Sequence, residues 1–269
     1  MGITTIAGLV IAALGVIGGF TIEGGGIGSL INIPGFMIVV VGTLGATTMS
    51  FPMSLVMSIP TSYIRVLKGS GGVAPPEMAE RLVAMADKAR REGLLSLEEE
   101  TQQVGDDFAK KGLTLMIDGT DPEALKAIME IEIDGAAERV AAQAQVFAAG
   151  SGFAPTLGVL GAVLGLIHVL GGLGGDVAEL GKGIATAFVA TFYGVGMANV
   201  ILLPTAMKLK AIAAEEALTR QMILEGILSI QAGDNPRIVR EKLQSFLPPH
   251  ERAKEDAEGE APGAERAAA

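Results

Sequence analysis

Four long runs of mostly apolar residues divide the chain: Ile3 to Ile22, Ser29 to Phe51, and the two halves of the stretch from Gly152 to Lys210. Each is roughly 20 residues long or longer, enough at about 1.5 Å per residue to cross a ~30 Å hydrocarbon core as a helix. The two later runs are apolar with small side chains. Gly158, Gly161 with Ala162, and Gly165 fall on one face of the third run, and Ala187, Thr191, Gly194 and Ala198 on one face of the fourth. Spacings of three and four residues align such positions and let another helix approach closely. No Asp, Glu, Lys or Arg lies between Gly152 and Leu170 or between Gly183 and Met207. If ions cross here, the charged carrier group has to come from another chain.

The segments between these runs follow a different pattern. Met53 to Lys68 contains Pro60, Tyr63, Arg65 and Lys68 and reads as a short amphipathic helix at the membrane interface. From about Gly69 to Gly150 the chain reads as a bundle of soluble helices. Pro75-Pro76 opens one helix, with Glu77 and Glu80 in its first turn, Arg90 and Arg91 in its last, and Gly93 as a stop. Ser96 with Glu99 has capping-box spacing for the next helix, and Asp121-Pro122 starts a long one that approaches the third run. Beyond Pro204 the positions of Ile212, Leu218, Met222, Ile223 and Ile227 continue the fourth run as an amphipathic helix, and Asn235-Pro236 begins a last helix closed by Pro248-Pro249. Pro34 falls in the first turn of the second run, where backbone N–H groups have no helical partner.

The predicted fold class is therefore all-α: a polytopic membrane protein with four transmembrane helices, a large helical cytoplasmic loop and a helical cytoplasmic tail. The expected divisions are transmembrane helices 1 and 2 in 1–51, the interfacial helix in 52–68, a cytoplasmic helical domain in 69–150, and helices 3 and 4 in 151–207. A helical tail occupies 208–250, and 251–269, lacking core-forming residues, is expected to be disordered. Ten Lys and Arg lie from Arg65 to Arg139 and nine from Lys208 to Arg266, with Lys182 alone between the third and fourth runs. Positive-inside logic then puts the loop, the tail and both termini in the cytoplasm. Met1 to Phe20 has no basic n-region, so it reads as a retained helix rather than a signal peptide.

Composition excludes several function classes. With no Cys there is no disulfide, thiolate site or cysteine catalysis, and two His leave little for a histidine metal site. A formal charge of −10 without a basic stripe argues against nucleic acid. No nucleophile and base pair, phosphate-binding loop or carboxylate dyad emerges, so neither a catalytic residue nor a cofactor is expected.

The remaining candidates each carry two readings. His168 is the one titratable group well inside a run, and is either a proton relay or a neutral, hydrogen-bonded histidine near its outer end. Pro155 and Pro204 each leave the carbonyl four residues earlier without its helical N–H, as hinges or as plain punctuation. Thr191 is the polar residue on the small face of the fourth run, where a threonine ordinarily bonds its own backbone at i−4. Arg90 and Arg91 with Glu98, Glu99 and Glu100 form opposed charge groups around a Gly-containing turn, either solvated helix faces or a docking surface.

Several of these landmarks occur together as ARREGLLSLE at Ala89 to Glu98, APTLGVLGAVLGLIHVL at Ala154 to Leu170, ATFYG at Ala190 to Gly194, Pro204, and NPRIVREKLQSFLPP at Asn235 to Pro249. In order, spacing and membrane placement they resemble the MotA/PomA family of bacterial flagellar stator proteins. The resemblance implies a stator subunit of the cytoplasmic membrane, in which five copies surround two single-span MotB-type chains. The partner would supply the ion-carrying aspartate and the peptidoglycan anchor. It also implies that Arg90 and Glu98 contact the rotor protein FliG, that Pro155 and Pro204 serve conformational coupling, and that Thr191 lies near the ion site. Where sodium-driven members carry a second threonine this chain has Ala162, which removes an oxygen ligand for a hard cation and implies proton coupling. The nearest alternative is an ExbB/TolQ-like energiser, expected to have three spans and an outside N-terminus. A self-sufficient transporter and a purely structural scaffold are the readings from other classes.

Overall fold

A computed structural model of the chain describes residues 2–69, 72–171 and 177–249. Every regular element among them is helical. Residues 172–176, between the third and fourth runs, and the tail expected to be disordered from 251 lie outside the described residues.

The chain forms two compact units, one of residues 1–70 with 138–213 and the other of residues 71–137 with 214–269. In the first, α1 (Gly2–Ile22) leads through a 3₁₀ turn at Ile27–Leu30 to α2 (Ile33–Ser50). The second span thus begins four residues later than its apolar run. Asn32 is extended and caps the helix, its Oδ1 accepting from the Gly35 N–H at 2.7 Å, and Pro34 sits in the first turn where its missing N–H does no harm. Within α2, Met37–Val41 is a π-helical segment. After α3 (Met53–Met57) the chain bends at Ser58 into α4 (Ile59–Lys68), so the expected interfacial segment is two short helices.

In the second unit α5 (Pro75–Glu92) ends at Gly93, whose φ of +87° is left-handed and suits a residue without Cβ. The expected capping box at Ser96 and Glu99 does not form. The chain instead makes a 3₁₀ turn at Leu94–Leu97, the Ser96 hydroxyl donates back to the Gly93 carbonyl at 2.7 Å, and α6 (Glu98–Gln103) starts without a side-chain cap. Burial of Leu97 fixes that turn more strongly than a cap would. Then follow α7 (Asp107–Ile117), capped by Asp106, and α8 (Pro122–Gly171), whose first N–H groups are held by Asp121 Oδ1. The helix from Pro122 does not stop short of the third apolar run; it is continuous with it over 50 residues.

The fourth run is α9 (Val177–Gly196), a π-helical segment at Met197–Leu202, and α10 (Leu203–Gln231). A final α11 (Pro236–Gln244) is capped by Asn235. α8 and α10 contribute to both units.

The two units are packed on different principles. In the second, Met78 and Leu82 of α5, Leu113 and Met116 of α7, Met129 of α8 and Met222, Ile223 and Ile227 of α10 form a soluble-type core. Each such side chain contributes roughly 1.5–3 kcal/mol. Polar ties lie at its edge: Arg240 pairs with both oxygens of Glu80, and Lys242 reaches Glu225 and Asp234 at 3.0 Å each. Those two carboxylates hold the Lys242 ammonium above its ordinary range. Lys88 of α5 bonds Glu100 of α6 at 2.5 Å, and that ammonium holds the Glu100 carboxyl below its ordinary value of 4.5.

The first unit is inverted: α1 exposes Ile6, Leu9, Val10, Ile11 and Leu14, and four of its helices are long and apolar enough to span a membrane. Its interior is built from small residues. A Cβ added to Gly194 of α9 would lie 2.5 Å from the Ala154 carbonyl oxygen and 3.0 Å from Gly158 Cα of α8. One added to Gly158 would lie 3.2 Å from Gly194 Cα, and one on Gly165 2.7 Å from Ala187 Cβ. The small faces of the third and fourth spans are thus spent on each other within one chain, rather than left open for an incoming helix.

Two outcomes follow from this packing. Gly194→Val, which forces backbone against backbone, should destabilise the protein by about 3 kcal/mol or more, whereas Gly45→Ala, whose Cβ meets nothing within 4 Å, should leave it essentially unchanged; thermal melts in detergent compare them. Because the folded pKa of Glu100 is depressed, its contribution is present above the unfolded value and is lost as pH falls through the folded one. Glu100→Gln should therefore flatten part of the fall in melting temperature below about pH 5.

Candidate functional site

In the first unit Thr191 occupies the α8/α9 seam one turn before Gly194. Its hydroxyl donates to the Gly158 carbonyl of the neighbouring helix at 3.4 Å, not to its own helix at i−4. In α-helical register that same carbonyl accepts the N–H of Ala162. The two residues that the resemblance placed near the ion pathway are therefore tied to a single carbonyl oxygen. Both are half-buried at the edge of the seam, and no carboxylate belongs to either helix nearby. A protonatable group held against this edge would meet a hydroxyl, a peptide dipole and a weakly polar wall. Such a setting makes an unpaired charge costly and a proton valuable.

Pro155 lies one residue past Ala154, whose carbonyl is in the closest approach to Gly194, so the first proline adjoins the tightest part of the seam. Pro204 follows the π-helical segment directly, as the second residue of α10. A proline removes one helical N–H, and the wider π turn before it absorbs the clash that its ring would otherwise make with the preceding turn. His168 stands three residues from the end of α8 with an exposed side chain, away from the Thr191 and Ala162 pair along the helix.

A second, separate feature belongs to the other unit. Arg90 closes α5 and Glu98 opens α6, and both are exposed. Their neighbours are neutralised, Arg91 by Asp87 at 2.6 Å and Glu100 by Lys88. Among the described residues Arg90, Glu92, Glu98 and Glu99 make no ion pair, so unpaired charges of both signs precede the 3₁₀ turn and unpaired anions follow it. At the turn's outer edge Leu95 is 71% exposed while Leu97 is 0% exposed. An apolar side chain rimmed by unpaired charges of both signs is suited to protein contact: charge sets orientation and rate, and the apolar centre gains from being covered.

Three features lay beyond sequence reasoning. The first is a clasp in which the Tyr193 hydroxyl donates to the Leu30 carbonyl, the Asn32 N–H donates to that hydroxyl at 3.0 Å, and Phe36 stacks edge-on at 6.5 Å. It fastens the connection before α2 to α9. One of only two tyrosines in the chain, inside an apolar run, was the available signal. The second is the π-helical segments, which leave no mark in residue type. The third is Leu95, hidden in a run of leucines whose other members face inward.

The description "MotA/TolQ/ExbB proton channel family" belongs to a family model that matches residues 100–222, and a model of the motility protein A N-terminal region matches residues 6–93. The chain is 39% identical over 228 residues to motility protein A of Borreliella burgdorferi, covering 85% of this chain and 87% of that one. It is 35% identical over 263 residues to motility protein A of Bacillus subtilis, covering 98% and 97%. The solved flagellar MotAB stator complex from Bacillus subtilis superposes with a TM-score of 0.88 at 35% identity, over 93% of this chain and 98% of that one. The helix order, the bare seam and the unpaired charges thus sit in a chain that belongs to the motility protein A family of flagellar motor stator proteins.

Proposed function

We propose that this membrane chain is the stator subunit that, with a single-span MotB-type partner, conducts protons and converts their flow into torque on the rotor. The observation that carries the reading is the pair of charge-free spans in which the hydroxyl of Thr191 reaches across to the carbonyl that Ala162 shares. Spans without a carboxylate need one from outside, and the partner's aspartate supplies it. Charged, that aspartate is costly beside the apolar edge of the seam; protonated, it packs there. Alternation between the two states moves the partner relative to a ring of five copies of this chain around two partner helices. The partner also carries the anchor to the cell wall.

The movement reaches the rotor through the second unit. Arg90 and Glu98 meet oppositely charged residues of FliG, with Leu95 covered at the centre of the contact. Pro155, beside the closest helix approach, and Pro204, after the π-helical segment, are the joints that let ion occupancy change the helices' course. The chain lies in the bacterial inner membrane with both termini in the cytoplasm, in keeping with the distribution of its Lys and Arg. The ExbB/TolQ-like reading is not favoured, since residues 6–93 match the model of the motility protein A N-terminal region.

Ala162, with no side-chain oxygen, fits proton rather than sodium coupling. Cells that swim on this stator alone should slow to a stop with a protonophore and keep their speed as external sodium is removed; speed that tracks sodium overturns the assignment. At the rotor contact, Arg90→Glu combined with Glu98→Lys should reduce swimming speed by roughly half or more while the partner still co-purifies. Arg91→Glu, at a charge already paired with Asp87, should do much less.

A further inference from the structure

The first unit holds a cavity of about 530 Å³ that the stator reading does not use. It lies between α1, α4 and the passage from the π-helical segment into α10. Its apolar walls are Gly8, Leu9 and Ala12 on one side and Val200, Ile201 and Pro204 on the other. Consecutive spans alternate in direction, so the first and fourth run antiparallel. That arrangement puts Thr5 and Lys208 at the same end of the lining and Ala12 and Val200 at the opposite end. The cavity therefore has a polar, cationic mouth and an apolar depth, extending roughly 12 Å along α1 at helical rise.

The charge at the mouth is one-sided. Arg65, Lys68, Lys208 and Lys210 lie in the flanking segments, while residues 24–76 and 180–214 contain no Asp or Glu. Lys208 is half-buried and makes no ion pair among the described residues. Tyr63 also faces the cavity, and burial pushes its phenol above the ordinary range against a hydrogen bond with Thr205, so it stays neutral there. Over the same 12 Å a transmembrane helix about 10 Å across takes up roughly 900 Å³, more than the cavity holds. The volume falls within the roughly 300–1,000 Å³ of small-molecule sites.

We propose that this cavity is a binding site for one phospholipid with an anionic headgroup. The phosphate sits at Lys208 and the Thr5 hydroxyl, and an acyl chain lies between Leu9 and Ile201. The chain then rests on Pro204 and the π-helical turn before it, so the lipid fills the space into which that joint would otherwise relax. The site is a property of the membrane-embedded unit and does not depend on which ion or rotor the protein serves.

Native mass spectrometry of the full chain co-purified with its partner tests the site. Wild type should retain about one phospholipid per copy and favour phosphatidylglycerol over phosphatidylethanolamine about five-fold. Gly8→Leu fills the cavity from a position whose Cβ meets nothing within 4 Å, and should lower retention at least five-fold. Gly18→Leu, on the same helix with equally open space but outside the lining, should retain lipid as wild type does. Lys208→Gln should keep a lipid but lose the headgroup preference. On wild type, a phosphatidylglycerol bearing a photoreactive acyl chain should label peptides containing Leu9 and Ile201. Undiminished retention in Gly8→Leu, no headgroup preference in wild type, or photolabelling confined to other surfaces would each overturn the proposal. A cross-link showing that a second copy of the chain occupies the cavity would do the same.

Discussion

The membrane unit depends on two peptide backbones in contact. Where α8 passes α9, Gly158 faces Gly194 with no side chain between them, and the Ala154 carbonyl occupies the space that a Cβ on Gly194 would need. In hydrocarbon there is little gain from hiding apolar surface from lipid, so close fit and dispersion have to hold helices together, and both fall off steeply with separation. Most of the larger residues on these spans are consequently turned away from the seam, with Val169 packed on Gly183 towards its other end. That leaves apolar outer faces for lipid, for other copies or for a partner, and Thr191 makes a polar contact across the seam.

The water-facing unit solves a different problem. Its core is made of Met, Leu and Ile drawn from helices far apart in sequence, and near neighbours cancel several of its surface charges. Around the 3₁₀ turn that cancellation is selective. With Arg91 and Glu100 neutralised, the field around the turn at Leu94–Leu97 comes from Arg90, Glu92, Glu98 and Glu99. The tie between Lys88 and Glu100 joins the end of α5 to the start of α6, so the two sets of free charges are held at a set spacing rather than on independent helices.

Much of this was legible in the residues. The four spans, the stop at Gly93, the caps at Asp121 and Asn235 and the continuation beyond Pro204 follow from periodicity and from the backbone chemistry of Gly, Pro and Asn. What was not legible concerns partners. The small faces at Gly158 and Gly194 could be recognised as surfaces made for a helix, yet periodicity does not say whose helix, and the chain uses them on itself. Ser96 failed as a cap because a buried leucine one residue later fixed the turn, a tertiary preference that overrides a local one. The clasp at Tyr193 reaches back more than 160 residues to Leu30 and Asn32, a distance over which spacing rules carry no information.

The π-helical segments at Met37–Val41 and Met197–Leu202 have a geometric result of their own. A π turn holds an extra residue, so it takes up about 100° of angular phase that an uninterrupted α-helix would have spread over everything downstream. Counted on a plain helical wheel, Ala187, Gly194, Leu209 and Ile212 fall within about 60° of one another, so the shift is invisible in the residue numbers. Both halves meet α8, Ala187 and Gly194 in the seam and Leu209 in a cluster with Val140 and Ala144. The bulge thus re-indexes the second half while one partner helix is followed on both sides of it.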